Sequence, residues 1–120
     1  MSNPEEVVAK YLRDELDLWW HYESPLFVYD EKERPRVWTP DFFIPKLGMF
    51  IEVIGSQYLF EDNDQNYQYR KEVYEKNSCH VIFVHFWKKD WKIHIVKRIK
   101  AIEQSRHYEV MRILDSVLAS

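Results

Sequence analysis

Two hydrophobic spacings alternate along the 120 residues of the chain, and together they predict a succession of helices and strands. Val8, Tyr11, Leu12, Glu15 and Leu16 recur at helical intervals, so one face of a first helix is expected to be buried. Asn3-Pro4-Glu5-Glu6 opens it with a capping Asn, a proline at the first helical position and acids in the first turn. Residues 18–29 are aromatic and β-branched enough for a strand, edged or broken at Pro25, and Asp30 to Arg36 reads as a charged loop. Between Val37 and Gly55 two short apolar runs flank Pro45-Lys46-Leu47-Gly48, where a proline starts a turn and a glycine finishes it, so this stretch predicts a β-hairpin.

Ser56 to Asn63 is a polar connection, after which Asp64 opens a second helix with Tyr67, Arg70, Lys71, Tyr74 and Asn77 at turn spacing. Val81-Ile82-Phe83-Val84 is continuous, β-branched and too short for a helix, which marks a strand buried on both faces. Trp91 to Val96 fits either an edge strand or an early helix turn, and residues 97–118 form a long amphipathic helix through Ile99, Ile102, Met111, Ile113, Leu114 and Val117. The expected order is helix, three mostly antiparallel strands, helix, strand, helix, packed as a mixed central sheet flanked by helices. The helix between the second hairpin arm and the Val81 strand would be a right-handed crossover, making those two strands parallel neighbours.

Composition narrows the class. Hydrophobic residues make up 46% of the chain and aromatics 17%, which suits one globular domain over residues 1–120, and no apolar run approaches the about 20 residues of a membrane span. A start without secretory character and a lone Cys79, which has no internal partner, suggest an intracellular, cytoplasmic setting. The net charge of −3 argues against a generally basic nucleic-acid binder, yet residues 88–120 hold eight Lys or Arg against four acids. That basic end is the expected phosphate-facing surface, although an amphipathic helix with a solvated polar face would show the same charges. The five histidines have neither HExxH spacing nor a cysteine pair beside them, which speaks against zinc.

The hairpin carries one acid on each arm. A four-residue turn centred between Lys46 and Leu47 sets Asp41 opposite Glu52, where Cβ atoms lie about 4.5–5.5 Å apart and two carboxylates can share one Mg²⁺. Without a counter-ion the pair would be repulsive. A one-residue bulge would instead change the register and leave one carboxylate in water, and turn chemistry does not decide between the two.

Pro40-Asp41, eleven residues before Glu52-Val53-Ile54 in an αβββαβ order, resembles the PD-(D/E)XK nuclease superfamily over roughly residues 5 to 86. The resemblance implies an α/β fold with a restriction-endonuclease-like αβββαβ core, here followed by the long C-terminal helix. It implies that Asp41, Glu52 and the carbonyl of Val53 bind Mg²⁺, with Mn²⁺ as a substitute, and that Glu5, or second to it Glu6, completes the site from the first helix. The lysine of the pattern would stand two residues beyond Glu52, where this chain has Ile54, an alkane that neither donates nor carries charge. Some members move the basic residue to the following helix, which makes Lys71 or Arg70 its replacement. Gly55-Ser56-Gln57-Tyr58 with Arg70 also resembles the branch of very-short-patch-repair-type nucleases and small resolvase-like relatives, with Tyr58 where a histidine is usual.

The expected function is therefore a Mg²⁺-dependent endonuclease that hydrolyses DNA phosphodiester bonds, with branched, mismatched or nicked structures as candidate substrates. Catalysis would rest on Asp41, Glu52, Lys71 and Glu5, and DNA contact on Arg70, Lys88, Lys89 and Lys92, with Trp87 and Trp91 as stacking surfaces. For Glu5 a helix-dipole role competes with ligation, and for Lys71 and Arg70 a solvated helix face competes with chemistry. Glu23 could point toward the site from a neighbouring strand, although a surface carboxylate is the plainer expectation. A nuclease-fold binding module without chemistry and a protein-interaction domain are the alternatives. A homodimer, formed through the aromatic strands or the C-terminal helix, would suit a small nuclease acting on two strands.

Overall fold

The computed structural model describes residues 1–55 and 64–120, and in the second stretch the side chains from residue 67 onward. The Ser56–Asn63 connection and the role expected of Tyr58 lie outside the described residues. Helix α1 (Asn3–Lys10) is capped one residue earlier than expected, since the Ser2 hydroxyl, 3.3 Å away, accepts from the Glu5 amide. It runs on into a π-helical turn over Tyr11–Glu15, where the Leu16 amide bonds the Tyr11 carbonyl at 3.1 Å.

Among the described residues six strands follow: β1 (His21–Tyr22), β2 (Leu26–Tyr29), β3 (Pro35–Trp38), β4 (Phe42–Ile44), β5 (Met49–Ile54) and β6 (Val81–His85). Helix α2 (Asp64–Lys76) lies between β5 and β6, and α3 (Trp91–Ala119) ends the chain. A mixed four-stranded sheet has the order β1-β4-β5-β6, with β5 and β6 parallel and the other neighbours antiparallel. The molecule is thus mixed α/β, with helices against the sheet and a long C-terminal helix.

Residues 18–29 do not form one strand. Glu23 adopts a left-handed φ of 55° and Pro25 follows, so the chain turns out of the sheet after β1. It then forms β2, which among the described residues pairs with β3 in a separate two-stranded ribbon. The charged segment at 30–36 is the turn of that ribbon, and part of it joins the strand. The buried Asp30 carboxylate organises the turn by accepting from the Lys32 and Arg34 amides at 2.9 Å each. Asn77, just past α2, clamps the ribbon by bonding both the amide and the carbonyl of Tyr29 at 2.9 Å. Trp91 to Val96 is helical, which settles that ambiguity in favour of an early start to α3.

Alternation along the strands sends side chains to two apolar layers. Phe42, Ile44, Met49, Ile51, Ile82 and Val84 face α1 and α3, meeting Val8, Leu12, Ile95 and Ile102. On the opposite face, Phe83 with Val81 and Ile54 packs against Val73 and Tyr74 of α2 and Val28 of the ribbon. Burial on both sides explains the unbroken apolar run of β6. Among the described residues, no helix is long and apolar enough to cross a membrane.

Candidate active site

The hairpin turn falls where the sequence predicts it. Gly48 takes a left-handed φ of 61°, and its amide and that of Leu47 bond the Ile44 carbonyl at 2.8 and 3.1 Å. Arg106 of α3 donates to the carbonyls of both Leu47 and Gly48, pinning the turn from outside. The ladder runs Ile44 to Met49, Phe43 to Phe50 and Phe42 to Ile51, with no bulge, so the next step sets Asp41 across from Glu52. By alternation Asp41, Phe43, Phe50, Glu52 and Ile54 share the face toward α2.

Asp41 lies in a bend just before β4, and its side chain does the work of a ladder partner. One carboxylate oxygen accepts from the Val53 amide at 2.7 Å, and the Asp41 carbonyl accepts from the Glu23 amide at 2.9 Å. Since the Val53 amide faces β4, the Val53 carbonyl faces the same side. Glu52, only 6% exposed, lies on β5, one of the two inner strands, beneath α2. Its carboxylate accepts from the Tyr74 hydroxyl at 2.6 Å and forms an ion pair with Arg70. Arg70 and Tyr74 are one helical turn apart, so a single face of α2 delivers both.

The electrostatics follow from this crowding. Burial pushes the Asp41 carboxyl up to about 6, helped by the nearby charges of Glu5 and Glu52, while the Val53 amide and Arg70 pull the other way. Burial also raises Glu52, against the opposing influence of Arg70 and Tyr74. Glu5 comes from the first turn of α1, where it accepts from the Tyr22 hydroxyl at 2.7 Å, and that hydrogen bond pushes the phenol upward. Glu23 also pushes the Tyr22 phenol upward, which places Glu5 and Glu23 near Tyr22 beside the strand end. The packing of Pro4 at 3.5 Å from the Cβ position of Gly55 fixes the entry of α1 next to the end of β5.

The expected residues are brought together unequally. Asp41, Glu52, Val53, Glu5 and Arg70 form one neighbourhood. Lys71 lines a different cleft, of about 400 Å³, with Tyr67, His80, His94 and Arg98. Ile54, two residues beyond Glu52, is packed against the cluster of Val28, Val73, Tyr74 and Phe83. Lys88 and Lys89 are exposed in the turn after β6, at the sheet end where the Phe86 amide bonds the Ile54 carbonyl at 2.9 Å. Lys92 is engaged elsewhere, 3.1 Å from Glu15 and over the Tyr11 ring at 5.1 Å. Trp91 packs against Tyr11 and Phe86, which makes it part of the wall. Tyr22 and Tyr74 are the participants the sequence reading missed; for Tyr74, the four-residue step from Arg70 is the signal that could have found it.

Among the described residues, no group of three or more His, Cys, Asp or Glu is gathered closely enough to form a metal cage. The donors present are two hard carboxylates and a strand carbonyl. That set fits Mg²⁺, which is commonly held by one or two carboxylates with water and substrate phosphate completing its shell. Compared with protein-family models, curated proteins and solved structures, the chain matches none.

Proposed function

We propose that this protein is a metal-dependent endonuclease acting on DNA phosphodiester bonds, with Asp41 and Glu52 as its metal-binding acids. The observation that carries the reading is the hairpin itself. It sets a carboxylate whose proton affinity is raised by burial and by neighbouring acids directly across from a buried second carboxylate, with a guanidinium at hand. Removing the β2–β3 ribbon leaves the order α1, β1, β4, β5, α2, β6, which agrees with a restriction-endonuclease-like αβββαβ core carrying an insertion.

In this reading Asp41, Glu52 and the Val53 carbonyl would hold Mg²⁺, with Glu5 behind them at the start of α1. The cation would polarise a phosphodiester oxygen and make a water more acidic. Arg70 takes the part of the lysine that Ile54 displaces. It balances the charge of Glu52 in the free protein and of phosphate in the complex, and its planar fork suits both. Lys88 and Lys89 offer phosphate contacts at the same end of the sheet. Asp41 must lose its proton to bind a cation, so activity should rise as pH passes about 6.

A scaffold without chemistry has one observation in its favour: Glu52 is already satisfied by Arg70 and Tyr74. The two readings part in one experiment, cleavage of labelled duplex, nicked, mismatched and branched DNA in Mg²⁺ and in Mn²⁺. The nuclease reading expects cutting that Asp41→Ala and Arg70→Met abolish while both proteins still bind DNA. Uncut substrates throughout, with no Mg²⁺-dependent shift in the spectra of the hairpin residues, would leave the scaffold.

A further inference from the structure

Helix α3 is twice as long as the body it packs on requires. Its first half buries Ile95 and Ile102, and Arg106 makes the last clamp to the body at the Leu47–Gly48 turn. From His107 to Ser120 every residue is exposed, about 21 Å of helix at 1.5 Å per residue. This tail is not polar. Tyr108, Val110, Met111, Leu114, Val117 and Leu118 stand 70, 53, 43, 49, 64 and 84% exposed. An isolated helix of this length is marginal in water, and an apolar stripe of this extent marks a contact surface.

We infer that the tail pairs with the tail of a second copy of this chain, antiparallel, to form a reversible homodimer. This inference is independent of the nuclease reading. The spacing supports self-recognition. His107, Met111, Leu114 and Leu118 follow the alternating three- and four-residue steps of a coiled-coil seam. In an antiparallel pair Met111 meets Leu114 of the other copy twice, and His107 meets Leu118 twice, a closed two-fold contact. The flanking positions then match: Val110 lies beside Val117, and the Tyr108 hydroxyl reaches Asp115. A parallel pair would instead put Asp115 against Val110.

The remaining charges stay out of the seam, because Arg112 and Glu109 bond each other at 2.8 Å on the far side. The polar face also argues against a lipid surface, which amphipathic helices grip through many Lys and Arg. This one has Arg112 against Glu109 and Asp115. Half the wall of a helix about 10–12 Å across and about 21 Å long is about 350 Å² per copy. The sum, about 700 Å², falls short of the about 1,200 Å² of stable specific interfaces, so the dimer should dissociate on dilution.

Sedimentation velocity across a wide concentration series tests this. The expected result is an average mass rising from one copy toward two, with Leu114→Glu shifting the midpoint at least about tenfold to higher concentration. Leu114 is exposed in the single chain, so an unchanged melting temperature would show the body intact. Orientation is read in a Cys79→Ser background. A mixture of His107→Cys and Leu118→Cys proteins should cross-link to each other under mild oxidation, and neither should cross-link efficiently alone. A single-copy mass at every concentration, or a dimer indifferent to Leu114→Glu, would overturn the pairing. Efficient self-cross-linking of Leu118→Cys would overturn its direction.

Discussion

Replacing Asp41 by Asn should make the metal-free protein more stable at neutral pH, and the gain should disappear in acid. The folded environment lifts the Asp41 carboxyl from 3.8 to about 6. Between those values the folded chain holds a proton that the unfolded chain has released, so raising the pH through this window favours unfolding. A gap of about 2 pH units at 1.36 kcal/mol each gives about 3 kcal/mol, and the partial solvent contact of the carboxylate trims that to about 2 kcal/mol. Asn has no charge to lose and keeps an oxygen for the Val53 amide. Urea unfolding in EDTA, followed by tryptophan fluorescence, should therefore show the Asn protein ahead by about 2 kcal/mol at pH 7 and level with the parent near pH 4. A difference that is constant with pH, or an Asn protein that is the weaker at pH 7, would refute the claim that Glu5, Glu52 and burial together load this carboxyl.

Four further outcomes follow from the same geometry. Mg²⁺ should raise the melting temperature of the parent above about pH 6 and leave Asp41→Asn unmoved, because only the ionised pair can hold the cation; differential scanning calorimetry reads this directly. Tyr74→Phe removes a hydrogen bond to a buried carboxylate and should cost about 2 kcal/mol in urea unfolding, whereas Gly48→Ala should cost about 1 kcal/mol through its left-handed backbone alone, since its Cβ would meet Arg106 at an ordinary 3.6 Å. Ile54→Lys introduced into an Arg70→Met protein should restore DNA cleavage, as a cation on the same strand face takes over from the helix; cleavage rates of the single and double variants check it.

The parts of the fold written in local chemistry were legible. Turn residues 45–48 set the hairpin register without a bulge, and the apolar run at 81–84 announced a strand covered on both faces. Residues 18–29 were not, because their β-forming composition is compatible with one strand or two. The left-handed Glu23 that divides them arises from tertiary context, where its amide bonds the Asp41 carbonyl. Of the site, the acid pair was readable from turn geometry, and Arg70 from its place on α2. Choosing between Arg70 and Lys71 was not, since adjacent helix positions differ by about 100° and only the packed helix fixes which one faces Glu52. Tyr22 and Tyr74 were hidden among eight tyrosines, a residue type that serves equally as wall and as donor.

The hairpin is fastened at both extremities. At the open end a carboxylate oxygen of Asp41 takes the Val53 amide, and at the closed end Arg106 grips two turn carbonyls. Sliding one arm past the other by a single residue would break both fastenings at once and turn a whole row of core side chains toward water. Misregistered forms of this hairpin should accordingly be scarce even during refolding, and the separation of the acids is set by backbone mechanics.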